Sequence, residues 1–186
     1  MVEESRTSRF QRLAMPHLDA AYSLARWLVQ RPGDAEDVVQ EAMLHAYRSF
    51  DGCREATVRP WLLRIIRNAA YDWLTANGRG KVVGFADIDT EDATGLAFTA
   101  DAFGEPAESP EGLLIKEDDK RLVNELVAAL PVAFREVVIL RELKEMSYKE
   151  VAEVVGIPIG TVMSRLARAR DLLHKALMER RGACHE

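Results

Sequence analysis

Trp61, Arg64, Asn68 and Tyr71 recur every three or four residues along a stretch of helical periodicity, with Arg67 beside them. Aromatic rings stack on base faces, an amide reads a base edge and guanidinium groups hold phosphates, so this set suits unpaired nucleic-acid bases. A second set lies near the C-terminus, where Thr161, Met163, Ser164, Arg165 and Arg168 open a basic helical segment. Other chemistries find no support. His17, His45, His174 and His185 are scattered, no glycine-rich phosphate loop occurs, and no nucleophile has a neighbouring base, so no catalysis is expected. Cys53 and Cys184 lie far apart without a CxxC or Cys/His cluster, which argues against a disulfide framework and a metal site. No cofactor and no small-molecule substrate are implied.

The elements that must position these residues are helices. Apolar spacing on both sides of the chain's centre follows the helical period, with almost no period-two alternation, so the expected fold is all-α. Phe10, Leu13, Leu18, Tyr22, Ala25 and Leu28 form one stripe, which Pro16 should break into two pieces. Pro32-Gly33-Asp34 announces the next helix, with Asp34 placed to cap the free amides and Asp37 in the first turn. Its inward face is Val38, Val39, Ala42, Met43, Ala46 and Phe50. A third helix runs from about Pro60 to Thr75, with Leu62, Ile65, Ile66, Ala69 and Trp73 facing inward. Trp73 reads as core, whereas Trp61 fits either core or a base platform.

The net charge of −5 at first argues against a nucleic-acid partner, because affinity for DNA comes largely from neutralised phosphates. Its distribution reverses that argument. Residues 82–119 hold one Lys against 11 Asp and Glu, and both flanks are mildly basic. This central segment contains Gly84, Gly95, Gly104, Pro106, Pro110 and Gly112 without a sustained period, and reads as a flexible acidic linker. The expected organisation is therefore two small helical domains, residues 5–81 and 120–181, joined by residues 82–119. No apolar run approaches the roughly 20 residues that cross a bilayer, and the N-terminus is not a signal peptide, so a cytoplasmic location without membrane insertion is expected.

In the second domain a helix near Lys120 to Leu130 stops at Pro131, and another spans about Ala133 to Leu143. Ser147 and Glu150 have capping-box spacing and open a short helix to Val155. Gly156-Ile157-Pro158 makes a tight turn, and a final helix begins at Ile159 or Gly160 and reaches about Met178. Residues 148–166 thus have helix-turn-helix spacing, with small Ala152 at the crossing, Gly156 where the turn needs positive φ, and Val151, Val155, Ile157 and Val162 plugging the angle. The second helix of such a motif lies in the major groove, its N-terminal residues against base edges. An ordinary solvated basic helix would explain the charge but not the turn before it.

Leu130-Pro131, Arg135 to Arg141, Ser147 to Ala152, Gly160 to Leu166 and Arg168-Ala169-Arg170 closely resemble region 4 of extracytoplasmic-function sigma factors. Asp34 to Leu44 and Pro60 to Leu74 resemble region 2 of the same family. Two independent motifs in this order, separated by a linker, are far more specific than either one. The resemblance implies a promoter-specificity subunit that binds core RNA polymerase and promoter DNA and promotes strand opening. It implies core binding through Asp37, Gln40, Glu41 and Leu44 on the clamp helices of the largest subunit, with region 4 on the flap. It implies minus-ten recognition by Trp61, Arg64, Arg67, Asn68 and Tyr71, with the preceding loop from Asp51 to Arg59, and minus-thirty-five recognition by Arg141, Thr161, Met163, Ser164, Arg165 and Arg168. It also implies an anti-sigma partner, which can hold such a protein at the inner membrane.

This sequence departs from the pattern at three places. The basic cluster usual after Trp73-Leu74 is replaced by Thr75-Ala76-Asn77-Gly78. Met163 stands where Lys or Arg is common, and Glu145 where Gly is common. The alternative function is a stand-alone helix-turn-helix regulator dimerising through its N-terminal half.

Overall fold

The computed structural model describes residues 5–50, 53–77 and 110–183, with side chains described over 5–50, 53–77 and 120–180. Eight α-helices occur among them: α1 (Arg6–Ala14), α2 (Leu18–Val29), α3 (Pro32–Arg48), α4 (Val58–Ala76), α5 (Pro110–Ala129), α6 (Val132–Val138), α7 (Tyr148–Val155) and α8 (Ile159–Ala183). No strand occurs in the described residues, as the helical period predicts. Most of the segment read as a linker, residues 82–109, lies outside the described residues.

Helices α2, α3 and α4 pack together around Leu24, Leu28, Phe50, Leu62 and Ile66, all fully buried. The expected break falls at Pro16, where a single 3₁₀ turn, Met15–His17, links α1 to α2. Phe10 of α1 meets Phe50 and Tyr47 edge-on, with ring centroids 5.1 and 5.3 Å away, which clamps α1 to the end of α3. Two boundaries differ from expectation. Proline lacks an N–H and is favoured in the first turn, so α3 starts at Pro32 with Arg31 at the cap, and Asp34 sits inside the first turn. Asp34 therefore acts on the positive helix end rather than as the cap, and Asp37 lies a turn further in.

The other correction concerns α5, which begins at Pro110, ten residues before the expected start and inside the segment read as linker. Gly112 and the charge run Lys116 to Lys120 hide the apolar period there, and Pro110 again marks a first turn. Helix α6 continues into a wider turn, Ile139–Leu143, in which Lys144 N–H donates to the Ile139 carbonyl over 3.0 Å. At its end Glu145 takes φ of +52°, which explains why glycine suits that position. The capping box forms as expected: the Glu150 N–H donates to Ser147 Oγ (3.3 Å), and the Ser147 N–H donates to Glu150 Oε2 (2.8 Å). Gly156 closes α7 at φ +77°.

The two halves are not separate cores. One continuous apolar cluster runs from Phe10 through Leu62 and Ile66 to Val151, Val162 and Leu166. Helix α4 packs on α2 and α3 with one face and on α7 with another. This double contact buries Pro60, Leu63, Ala70 and Leu74 in addition to the expected Leu62 and Ile66, while Ile65, Ala69 and Trp73 are only half-buried.

Candidate nucleic-acid interface

On α3 the apolar face turns inward, and Asp37, Gln40, Glu41, Leu44 and Arg48 are exposed together. Leu44 is 56% exposed, an apolar side chain in a polar face, which is the composition of a partner-binding patch. On α4 the helical period separates the candidates into two neighbouring strips. Trp61, Arg64 and Asn68 share the outer strip, where Arg64 and Asn68 are exposed and Trp61 leans on Phe50 at 6.1 Å. Arg67 and Tyr71 lie on the adjoining strip and turn toward the second half, with the Arg67 guanidinium 4.2 Å above the Tyr71 ring.

What they meet is Glu136 of α6, whose side chain is fully buried. Arg67 Nε donates to Glu136 Oε2 over 2.7 Å and Nη2 to Oε1 over 3.3 Å. Arg165 Nη1, from the recognition helix α8, donates to the same Oε1 over 3.3 Å. Burial disfavours the Arg67 charge, but the hydrogen bonds and charge of Glu136 outweigh this and hold its pKa above the ordinary value. Burial, reinforced by the Glu136 charge, pushes the Tyr71 hydroxyl well above its ordinary range, so it stays protonated.

Arg165 and Arg168, both implied by the resemblance in minus-thirty-five recognition, differ sharply: Arg165 is buried and Arg168 exposed. Met163 is half-exposed, and Ser164 donates to the Thr161 carbonyl over 3.1 Å. Arg141 is pinned beside the turn, donating to the Met146 carbonyl (2.9 Å) and stacking 4.8 Å over Tyr148. Its structural duty is to shape the approach to α7.

Further contacts across the halves were not anticipated. Arg135 inserts its guanidinium at the C-terminal end of α2, donating to the carbonyls of Trp27 (3.0 Å) and Leu28 (3.4 Å), and also to Leu130 (2.7 Å). These carbonyls have no intrahelical partner, and a cation is favoured at that end of the dipole. Gln30 donates to the Ala128 carbonyl and Arg59 to that of Lys144. The signal for Arg135 and Glu136 was present in the sequence: adjacent charges inside the apolar run Val132 to Leu140 can be buried only if paired.

A helical bundle with an acidic, leucine-bearing face, followed by a helix-turn-helix whose recognition helix carries arginines, defines the architecture of a sigma factor. The model of sigma-70 region 2 matches residues 13–80, and that of sigma-70 region 4 matches residues 120–173. The chain is 37% identical over 142 residues to the ECF RNA polymerase sigma-E factor of Escherichia coli K12, covering 76% of this chain and 72% of the relative. It is also 37% identical over 145 residues to the RNA polymerase sigma-H factor of Pseudomonas aeruginosa, covering 77% and 73%. Among solved structures, the sigma factor RpoE in complex with the anti-sigma factor NepR, from Bartonella quintana, aligns over 91% of this chain and 97% of its own, with a TM-score of 0.65 and 26% identity. CnrH in complex with the cytosolic domain of CnrY aligns over 93% and 90%, with a TM-score of 0.62 at 24% identity, a likeness of fold.

The chain belongs to the extracytoplasmic-function group of the sigma-70 family, and its function is that of an RNA polymerase sigma factor in transcription initiation. The reading as a stand-alone regulator is not favoured, since the N-terminal half matches sigma region 2.

Proposed function

We propose that the exposed α3 face, Asp37, Gln40, Glu41 and Leu44, docks on the clamp helices of the largest subunit of core polymerase, with region 4 on the flap. The exposure of Leu44 within an otherwise polar face is the observation that carries this reading. The outer strip of α4 then takes the minus-ten element, with Trp61 offering a ring face, Asn68 a base-edge reader and Arg64 a phosphate contact, and the adjoining strip adds the Tyr71 ring and the Arg67 guanidinium. Capturing a flipped base offsets the few kcal/mol that unstacking costs, which favours strand opening. The N-terminal turns of α8, with Thr161, Met163, Ser164, Arg165 and Arg168, enter the major groove at the minus-thirty-five element, supported by Arg141. The protein contributes no catalysis of its own; polymerase does the chemistry.

The division of labour falls between α1 to α4 and α5 to α8, read from sequence as domains 5–81 and 120–181 with an acidic tether between, the second beginning in structure with α5 at Pro110. The relative from Bartonella quintana was solved with an anti-sigma factor, which supports such a partner here. No helix among the described residues is long and apolar enough to cross a membrane, which is compatible with work in the cytoplasm and attachment to the membrane only through that partner.

A gel-shift series tests this reading against self-standing DNA binding. The protein should leave a duplex unshifted at concentrations where its complex with core polymerase shifts promoter DNA. Tight binding to a palindromic site by the protein alone would overturn it.

A further inference from the structure

Ile159, Met163 and Ala167 follow one another at intervals of four along α8, so their side chains line a single strip of its surface. Ile159 is 45% exposed, Met163 is 50% exposed and Ala167 is exposed too, while Val162, Leu166 and Ala169 on the inner side are buried. At about 1.5 Å per residue the strip is about 12 Å long, enough to face roughly three base pairs spaced about 3.4 Å apart. Its polar neighbours have few donors to spare. Ser164 commits its hydroxyl proton to the Thr161 carbonyl over 3.1 Å, and Arg165 is buried against Glu136. A Cβ at Gly160 would meet no atom of the described residues within 4 Å, so packing inside the protein does not demand glycine there. A surface kept bare in this way suits the close approach of another molecule.

We propose that Met163, flanked by Ile159 and Ala167, reads the 5-methyl group of thymine in the major groove, so that the minus-thirty-five element carries a thymine against this strip. The proposal rests on the reading of α8 as the DNA-facing helix. Guanine offers only the acceptors N7 and O6 in the major groove, whereas thymine sets an apolar methyl beside its O4. A thioether has no proton to donate, so a guanine facing Met163 loses water and gains no hydrogen bond. Against thymine the same side chain buries apolar surface, and its three rotatable bonds let it settle on the methyl. Ser164 adds to the discrimination. With its proton spent, its oxygen accepts, which suits the exocyclic amine of adenine or cytosine and not the edge of guanine. Arg168, exposed more than a turn further along, keeps its donors for a phosphate or a guanine on the flank.

The test uses holoenzyme reconstituted from core polymerase and the full chain. Duplexes randomised over the minus-thirty-five region are selected for binding, and each thymine of the enriched sequence, on either strand, is then replaced in turn by deoxyuridine, which removes the 5-methyl group alone. The expected result is one or two positions at which deoxyuridine weakens binding by about fourfold, the hydrophobic worth of one methyl. In Met163→Ala that penalty should largely vanish, and Met163→Lys should move the selected base at the same position from thymine to guanine. Circular dichroism first establishes that each variant is helical, and the exposure of Met163 keeps the substitutions out of the core. Arg168→Ala reports on α8 as a whole. If deoxyuridine costs nothing at any position, or costs as much in Met163→Ala as in the wild type, while Arg168→Ala still weakens promoter binding, methyl reading is overturned and the DNA-facing reading stands. If neither the Met163 variants nor Arg168→Ala alters selection or affinity, the DNA-facing reading of α8 falls and the proposal with it.

Discussion

The guanidinium of Arg67 lies 2.7 Å from the carboxylate of Glu136, sixty-nine positions later in the chain, and this pair ties a region 2 helix to region 4. Because Arg165 reaches the same carboxylate, α4 and α8 share one charge in this arrangement. Positions whose roles look independent in sequence are thereby coupled.

Reversing charge on the exposed face of α3 should separate folding from partner binding. Asp37→Arg or Glu41→Arg changes exposed positions, so stability should shift by no more than about 0.5 kcal/mol. Binding to core polymerase, read by size-exclusion co-elution, should be lost. Leu44→Ala should weaken the same interaction while keeping the charge pattern.

The two arginines of the recognition helix should respond differently. Arg165→Ala should weaken promoter recognition by holoenzyme by about 1 to 3 kcal/mol if the side chain reads a base, and an equal loss on all sequences would mark it as a phosphate contact only. Arg168→Ala should affect DNA binding without disturbing the Glu136 ion pairs, since that side chain is exposed. Competition titrations with single-base promoter variants distinguish these outcomes.

Most of the helical framework is legible from periodicity, because Val38, Ala42, Leu62 and Ile66 recur at the spacing that a buried face requires. The exposed strip on α3, proposed to face polymerase, follows from the same arithmetic. Less legible are contacts between halves. Nothing local to α4 says that Arg67 faces a carboxylate on α6, and nothing local to α8 says that Arg165 is buried while Arg168 is not. Such facts arise from where Glu136 of α6 sits, within reach of both Arg67 and Arg165. The early start of α5 was hidden for another reason, since dense charge and Gly112 dilute the period. Glu145 was visible as an odd residue, and its positive φ supplies the cause.

The capping box at the entrance to the helix-turn-helix gives a stability prediction with a definite pH dependence. Ser147→Ala should cost about 0.5 to 2 kcal/mol in thermal denaturation. Hydrogen bonds from the Ser147 side chain and backbone hold the Glu150 carboxyl below its ordinary pKa of 4.5. A carboxylate depressed on folding stabilises the fold above the unfolded pKa, and the contribution is lost as pH falls through the folded value. The difference between wild type and Glu150→Gln should therefore be full at neutral pH and shrink below about pH 4.5.

Truncating Leu166, where α8 enters the core, should be costly. Leu166 is almost fully buried, so Leu166→Ala should destabilise by about 2 to 5 kcal/mol by chemical denaturation. Because one apolar cluster spans both halves, the loss should appear as a single transition reported by both.

Transcription reconstituted from purified components tests the central claim most directly. Core polymerase supplied with this protein and a genomic library should produce transcripts that start at a defined set of promoters, and the Asp37→Arg variant should produce none. Random initiation indistinguishable from core polymerase alone, by folded protein, would contradict the account.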